Sequence, residues 1–204
     1  MGSSFDFIAP HYDKMVKLVF GMQMQKAQHF FLSKVRDGSK VVVLGGGSGL
    51  WLDQFLKEHS KCKIVYIESA SRMLDLARKK SLADSRIEFR LGTENSITEL
   101  NHFDAVITFC YLDLFSDEEL VKIIEKIKAS VRHESVWLAT DFVSDRQWHK
   151  AMLKLMYSFF GLVSRLKNQK LPDWNRALRS SGLVEEEREF FYGGFIKSSV
   201  YRVR

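Results

Sequence analysis

Five short apolar runs rich in β-branched residues alternate with stretches whose apolar positions recur three and four residues apart. The runs Lys40–Leu44, Lys63–Ile67, Arg86–Leu91, Asp104–Phe109 and Ser135–Thr140 predict strands. Between them the helical period predicts helices over Leu50–His59, Ala70–Ser81 and Asp117–Ser130. Met73, Leu74 and Ala77 share one face of the second helix. Leu120, Ile123, Ile124 and Ile127 form the buried stripe of the third. Ser116, followed three residues later by Glu119, reads as a capping box that opens this last helix. Strands that are almost continuously apolar and alternate with helices predict a parallel sheet covered on both faces.

The two ends of the chain depart from this alternation. Residues 5–35 carry a helical pattern ahead of the first strand. Residues 145–181 hold two helical segments where one crossover would suffice. Val184–Tyr192 and Phe195–Val203 then read as strands joined at Gly193-Gly194, a hairpin signal. The expectation is an α/β fold with a seven-stranded mixed sheet, its last strand antiparallel and helices on both faces. One domain over 1–204 accounts for the chain, with 1–36 as a helical cap segment and 145–181 as a helical insertion.

The chemistry concentrates where the first strand ends. Val41 to Gly49 reads VVVLGGGSG, and Val65 to Ser69 reads VYIES one helix later. An apolar strand, a glycine-rich turn, a helix and a second strand ending on an acid outline a nucleotide-binding βαβ unit. Glycines let the backbone approach a ligand, and the acid holds a ribose. Gly45, Gly47 and Gly49 are spaced G-x-G-x-G. A dinucleotide fingerprint needs a small residue where Leu50 stands, and a phosphate loop needs Gly-Lys where Leu50-Trp51 stand. The turn therefore suits a nucleoside without a pyrophosphate.

Composition narrows the class. The chain has 204 residues, 46% hydrophobic, with only two prolines, which is globular and enough for one α/β core. The net charge of +6 permits an anionic partner without demanding one. The basic residues are spread along the chain, so no nucleic-acid partner is expected. No run reaches the length of a transmembrane segment, and neither a secretory signal nor a bilayer span is expected. Cys62 and Cys110 lack a partner motif and read as free thiols of a cytoplasmic protein. No spacing of His, Cys or Asp suggests a metal.

These segments resemble the class I S-adenosylmethionine-dependent methyltransferases, nearest to the group that includes the C-methyltransferases of ubiquinone and menaquinone biosynthesis. The resemblance spans roughly residues 5 to 142. It also takes in Phe5 to Asp13, a segment similar to the one that folds over the family's site, and Phe103-Asp104-Ala105-Val106-Ile107, similar to its fourth strand. It implies a Rossmann-like fold, S-adenosyl-L-methionine as cofactor and a small-molecule methyl acceptor. It also implies cofactor-binding roles for Gly45, Gly47 and Gly49 toward the methionine part, and for Glu68 toward both ribose hydroxyls. Ser69 to Met73 would lie beside the adenine. Thr93 stands where the family often has an acid against the adenine amino group, and Glu94 is next to it. The family commonly carries an acid two residues before the first glycine, where this chain has Val43. A non-catalytic protein that binds S-adenosylmethionine or S-adenosylhomocysteine is the alternative.

Catalytic candidates follow from position. Tyr111 and Asp113 come directly after the fourth strand, and open α/β sheets bind ligands beyond the carboxyl ends of their strands. Asp141 and Phe142 end the fifth. Tyr12, between His11 and Asp13, reads as a residue packed over the cofactor, with His11 a possible base. The stripe Trp148, Met152, Leu155, Met156, Phe159, Leu162, Val163 and Leu166 reads as a helix packed on the domain, an apolar acceptor lid, a homodimer surface or a membrane contact. The lid reading has this segment and Phe5–Tyr12 covering the pocket mouth.

Overall fold

The computed structural model describes residues 9–164 and 170–204, the side chains of 159–164 excepted. Its centre is one seven-stranded sheet of order β3-β2-β1-β4-β5-β7-β6. The strands are β1 (Lys40–Leu44), β2 (Lys63–Glu68), β3 (Ile87–Leu91), β4 (Phe103–Phe109), β5 (Val131–Phe142), β6 (Val184–Phe191) and β7 (Ile196–Arg202). Pairing is parallel from β3 through β5, and β7 runs antiparallel to both β5 and β6. The mixed sheet and its antiparallel last strand are those expected from the sequence. Gly193 and Gly194, both at positive φ, turn the closing hairpin.

Strand alternation sorts the core into two layers. Val41 and Val43 of β1 face one side, with Ile64 and Tyr66 of β2. Helices α3 (Leu52–Glu58) and α4 (Ser71–Lys80) cover that side through Leu52, Phe55, Leu74 and Ala77. Val42 and Leu44 face the other side, against α5 (Asp117–Ser130) and α7 (Trp174–Ser180). The stripe Leu120, Ile123, Ile124 and Ile127 is buried as its spacing requires, and the Ser116–Glu119 capping box forms. Two buried indoles find acceptors: Trp137 donates to Thr108 Oγ1 at 2.9 Å, and Trp174 to the Phe142 carbonyl at 2.8 Å.

A third cluster sits at the carboxyl end of the sheet. Helices α1 (Ala9–Phe20), α2 (Gln23–His29) and α6 (Gln147–Ser164) meet there. Phe20, Met24 and Leu153 are packed with Phe142, Phe195 and Ile196. Strand β5 begins four residues earlier than its apolar run, because the exposed Arg132-His133-Glu134 continue the strand past a register shift against β4.

Candidate functional site

A cavity of about 590 Å³ opens at the carboxyl ends of β1, β2 and β4, beneath α1 and α2. Its floor is the turn after β1, where Gly45, Gly47 and Gly49 all have positive φ (63°, 62° and 71°). Such backbone favours glycine. A Cβ on Gly47 would meet nothing within 4 Å, so that position looks into open space. Gly46 is glycine for another reason: a Cβ there would stand 2.1 Å from the Tyr66 ring. The Tyr66 hydroxyl in turn donates to the Gly47 carbonyl at 3.1 Å and props the turn from below.

Glu68 completes the floor. It ends β2, is 7% exposed and lines the cavity. Its Oε2 accepts the Gly47 N–H at 3.0 Å. Its Oε1 accepts the Ala70 N–H at 2.8 Å and the Ser69 hydroxyl at 3.3 Å. Burial raises its pKa, and the backbone donors Ala70 and Gly47 oppose that shift. One carboxylate thus ties the glycine turn to the start of α4. A carboxylate has about four lone-pair sites, so capacity remains for a ligand hydroxyl.

Most of the other residues singled out in the sequence lie on the same cavity. Gly45, Gly47, Gly49, Ser69, Met73, Thr93, Tyr12 and Tyr111 all line it. Tyr111 is the wall against Gly45, where an added Cβ would come 2.6 Å from its ring. Glu94 is different. It follows Thr93 in sequence, but Thr93 caps a 3-10 turn by accepting the Asn95 N–H. That turn brings the Glu94 carboxylate to the Tyr111 hydroxyl, which donates to it at 2.9 Å, and not to the cavity wall. Asp113 also stands behind the wall, 7% exposed. Burial raises its pKa to about 7.

The contacts that hold the roof were not legible in the sequence. Helix α1 lies over the turn through Asp13, whose Oδ1 accepts the Ser48 hydroxyl at 2.5 Å and whose Oδ2 pairs with Lys80 at 2.5 Å. Ala9 packs with Ala70 and Met73. Met24, Gln25 and Gln28 of α2 line the far end of the cavity. They carry no motif, and only the topology brings them there. Tyr12 hangs from α1 into the space, and burial, then the neighbouring Cys110, Asp113 and Glu68, push its phenol up. The expected covering of the mouth by 148–166 is corrected in part. No described α6 residue lines the cavity, and Met152, Leu153, Met156 and Tyr157 pack behind it in the third cluster. Phe5 to Ile8, and the side chains of Phe159, Leu162, Val163 and Leu166, lie outside the described residues.

The geometry accommodates S-adenosylmethionine. The open Gly47 faces the space that a main-chain ligand needs, and a buried acid with free capacity stands one strand over. The comparisons point the same way. The profile of a family described as a methyltransferase domain matches residues 41–134, which run from β1 into β5. No curated protein matches the chain. Among solved structures, a chain of the complex between the Haloferax volcanii Trm112 methyltransferase activator and a methyltransferase has a TM-score of 0.74 at 14% identity. That alignment covers 100% of this chain and 99% of the other. A SAM-dependent methyltransferase from Aquifex aeolicus has a TM-score of 0.63 at 18% identity, covering 94% and 98%. The Burkholderia thailandensis 1,6-didemethyltoxoflavin-N1-methyltransferase, solved with 1,6-didemethyltoxoflavin and S-adenosylhomocysteine, has a TM-score of 0.70 at 14% identity, covering 98% and 86%. The fold is the Rossmann-like methyltransferase fold, and S-adenosylmethionine is the cofactor that this domain and its neighbours support.

Proposed function

We propose, taking the methyltransferase domain and its shared fold as the premise, that this chain transfers the methyl group of S-adenosylmethionine to a small-molecule acceptor. The observation that carries the reading is the Glu68 carboxylate, buried at the tip of β2 and bonded to the Gly47 N–H. In this reading Glu68 holds the ribose hydroxyls, and charge-assisted bonds of that kind are the strong ones. Gly45, Gly47 and Gly49 let the backbone meet the methionine part, and Ser69 and Met73 flank the adenine with Thr93. Glu94 acts through Tyr111, whose ring it orients. The bound cofactor supplies an electrophilic methyl group on a sulfonium.

The rest of the work is positioning. Helix α1, latched by Asp13 to Ser48 and Lys80, excludes water and fixes Tyr12 over the reacting region. Residues 1–36 serve as the cap and 145–181 as an insertion that supports it, within one domain over 1–204. The resemblance to C-methyltransferases of quinone biosynthesis rests on sequence segments alone, and the reading extends to a small molecule without that subgroup. Among the described residues no helix is long and apolar enough to cross a membrane.

Two measurements test this. Calorimetric titration with S-adenosylhomocysteine should give saturable binding, and NAD should give none. Label from methyl-tritiated S-adenosylmethionine should then pass to members of a metabolite panel. Binding of NAD in preference to S-adenosylhomocysteine refutes the cofactor reading. Tight cofactor binding with no transfer across a broad panel favours a non-catalytic sensor.

A further inference from the structure

Folded chains cover most of their large apolar side chains, and a group of them left open together marks a surface that meets something. One corner of this chain carries such a group. Leu18 is 86% exposed and Leu155 67%, and Val19, Met22 and Trp148 are exposed as well. Three elements bring them together: the end of α1, the hairpin between β6 and β7, and the start of α6. The Tyr192 hydroxyl of the hairpin donates to the Val19 carbonyl at 2.9 Å. The Tyr192 and Trp148 ring centres lie 6.1 Å apart, and a Cβ on Gly193 would stand 3.1 Å from Trp148. Leu155 follows Trp148 by two helical turns, along the same edge of α6.

The charge around this group has one sign. Lys14 and Lys17 share the exposed side of α1 with Leu18, and Lys150 and Lys154 stand on the exposed side of α6 beyond Leu155. The apolar group therefore lies between two pairs of lysines. Among the described residues none of the four forms an ion pair. The two helices carry one acid between them, Asp13, and Lys80 pairs with it. Asp145, just ahead of α6, is followed at once by Arg146. Nothing within these helices cancels the four lysine charges.

That pattern selects the occupant. A second copy related by a two-fold axis would set these lysines against their own equivalents, and like charges across an interface are costly. An apolar centre with a basic rim instead complements an anionic bilayer, where apolar side chains enter the acyl boundary and lysines meet the headgroups. We propose that this corner docks on the surface of a bilayer containing anionic lipid, with Leu18, Met22, Trp148 and Leu155 inserted and the four lysines against the headgroups. The amphipathic indole of Trp148 suits that boundary. Lys14, Lys17, Gly21 and Met22 also line the cavity. A docked chain therefore presents this rim of the cavity to the lipid. Docking needs no bound cofactor and stands apart from the methyl-transfer reading.

The test uses the full chain and vesicles of phosphatidylcholine, alone or mixed with phosphatidylglycerol. Of the four tryptophans, Trp51, Trp137 and Trp174 are buried, so quenching by brominated phosphatidylcholine in the vesicles reports on Trp148. The chain should sediment with the mixed vesicles and barely with phosphatidylcholine alone, and added salt should release it. Brominated lipid in the mixed vesicles should quench the emission. Lys150→Glu with Lys154→Glu should weaken binding by roughly tenfold or more. Leu18→Ser with Leu155→Ser, which keeps the charge and changes two exposed positions, should weaken it by a similar factor. Thermal melts of both variants should match wild type, since neither pair is in the core. Absence of binding to the mixed vesicles overturns the proposal. So does binding that either variant retains in full, and so does binding without quenching. A dimer in sedimentation equilibrium that the leucine variant dissociates, with no vesicle binding, overturns it in favour of a face between two copies.

Discussion

Replacing Glu68 by Gln removes one acceptor from a site that uses two. The carboxylate serves Gly47 N–H through Oε2, and Ala70 N–H with the Ser69 hydroxyl through Oε1. An amide has one oxygen, so one side of the arrangement must face an NH₂ group. The 2.8 Å bond to Ala70 is the shortest of the three, so the oxygen stays there and the NH₂ turns to the Gly47 N–H. A buried donor left unsatisfied costs about 1–3 kcal/mol of stability. In a chain of this size each kcal/mol lowers Tm by about 2–4 °C. The ribose then meets a neutral partner in place of a charged one, a loss of about 1–2 kcal/mol in binding. That corresponds to roughly 5–30-fold in Kd. Titration calorimetry with S-adenosylhomocysteine and a thermal melt of the free protein read the two effects separately. A lowered Tm with unchanged Kd shows that Glu68 only braces the turn. An unchanged Tm and Kd together refute the reasoning altogether.

Three further outcomes are expected. Gly47→Val should abolish S-adenosylhomocysteine binding, because the side chain enters the open space at φ 62°; titration that still gives near-wild-type affinity counts against the proposed ligand path. Asp13→Asn removes the charge that pairs with Lys80 in a half-exposed contact. It should change stability by no more than about 1 kcal/mol while speeding ligand release in stopped-flow, and an unchanged release rate would show that α1 does not latch. Burial raises the pKa of Asp113 to about 7 and that of its neighbour Asp141 well above the ordinary carboxylate value. The folded chain therefore keeps a proton that the unfolded chain gives up. Stability from this group is full below the ordinary carboxylate range and is lost as pH rises through about 7, by up to about 1.4 kcal/mol per pH unit. Asp113→Asn should flatten that slope in urea titrations between about pH 5 and about pH 8, and an unaltered slope is the adverse result.

The strands were legible because each is buried on both faces and so almost continuously apolar. The bounds of β1 match their run, Lys40–Leu44, residue for residue. The long α5 was legible because its cap and its stripe agree. Glu94 lies against the Tyr111 hydroxyl and not on the cavity wall, because adjacency in sequence says nothing of direction once a 3-10 turn intervenes. The α2 part of the roof escaped for a related reason: Met24, Gln25 and Gln28 share a cavity with the glycine turn through helix packing, which leaves no periodic signature of its own. Gly46 falls outside the G-x-G-x-G spacing, and only the Tyr66 ring beneath it explains why no side chain fits. Glu68 was legible as the acid that ends β2, but not the three donors, Gly47 N–H, Ala70 N–H and the Ser69 hydroxyl, that converge on it in the buried site.

Strand β7 follows β6 in the chain yet lies inside it, between β5 and β6. During synthesis β6 therefore leaves the ribosome with no neighbour to receive it. The β5 edge, whose residues Val136 to Phe142 end up buried, stays open for the same interval. Both are satisfied at once when Ile196–Arg202 arrives and zips two antiparallel ladders. Long-range pairing of this kind is slow and exposes sticky edges while it waits. The glutamates of β6, at 185, 186, 187 and 189, keep that waiting strand charged and discourage it from joining a neighbouring nascent chain.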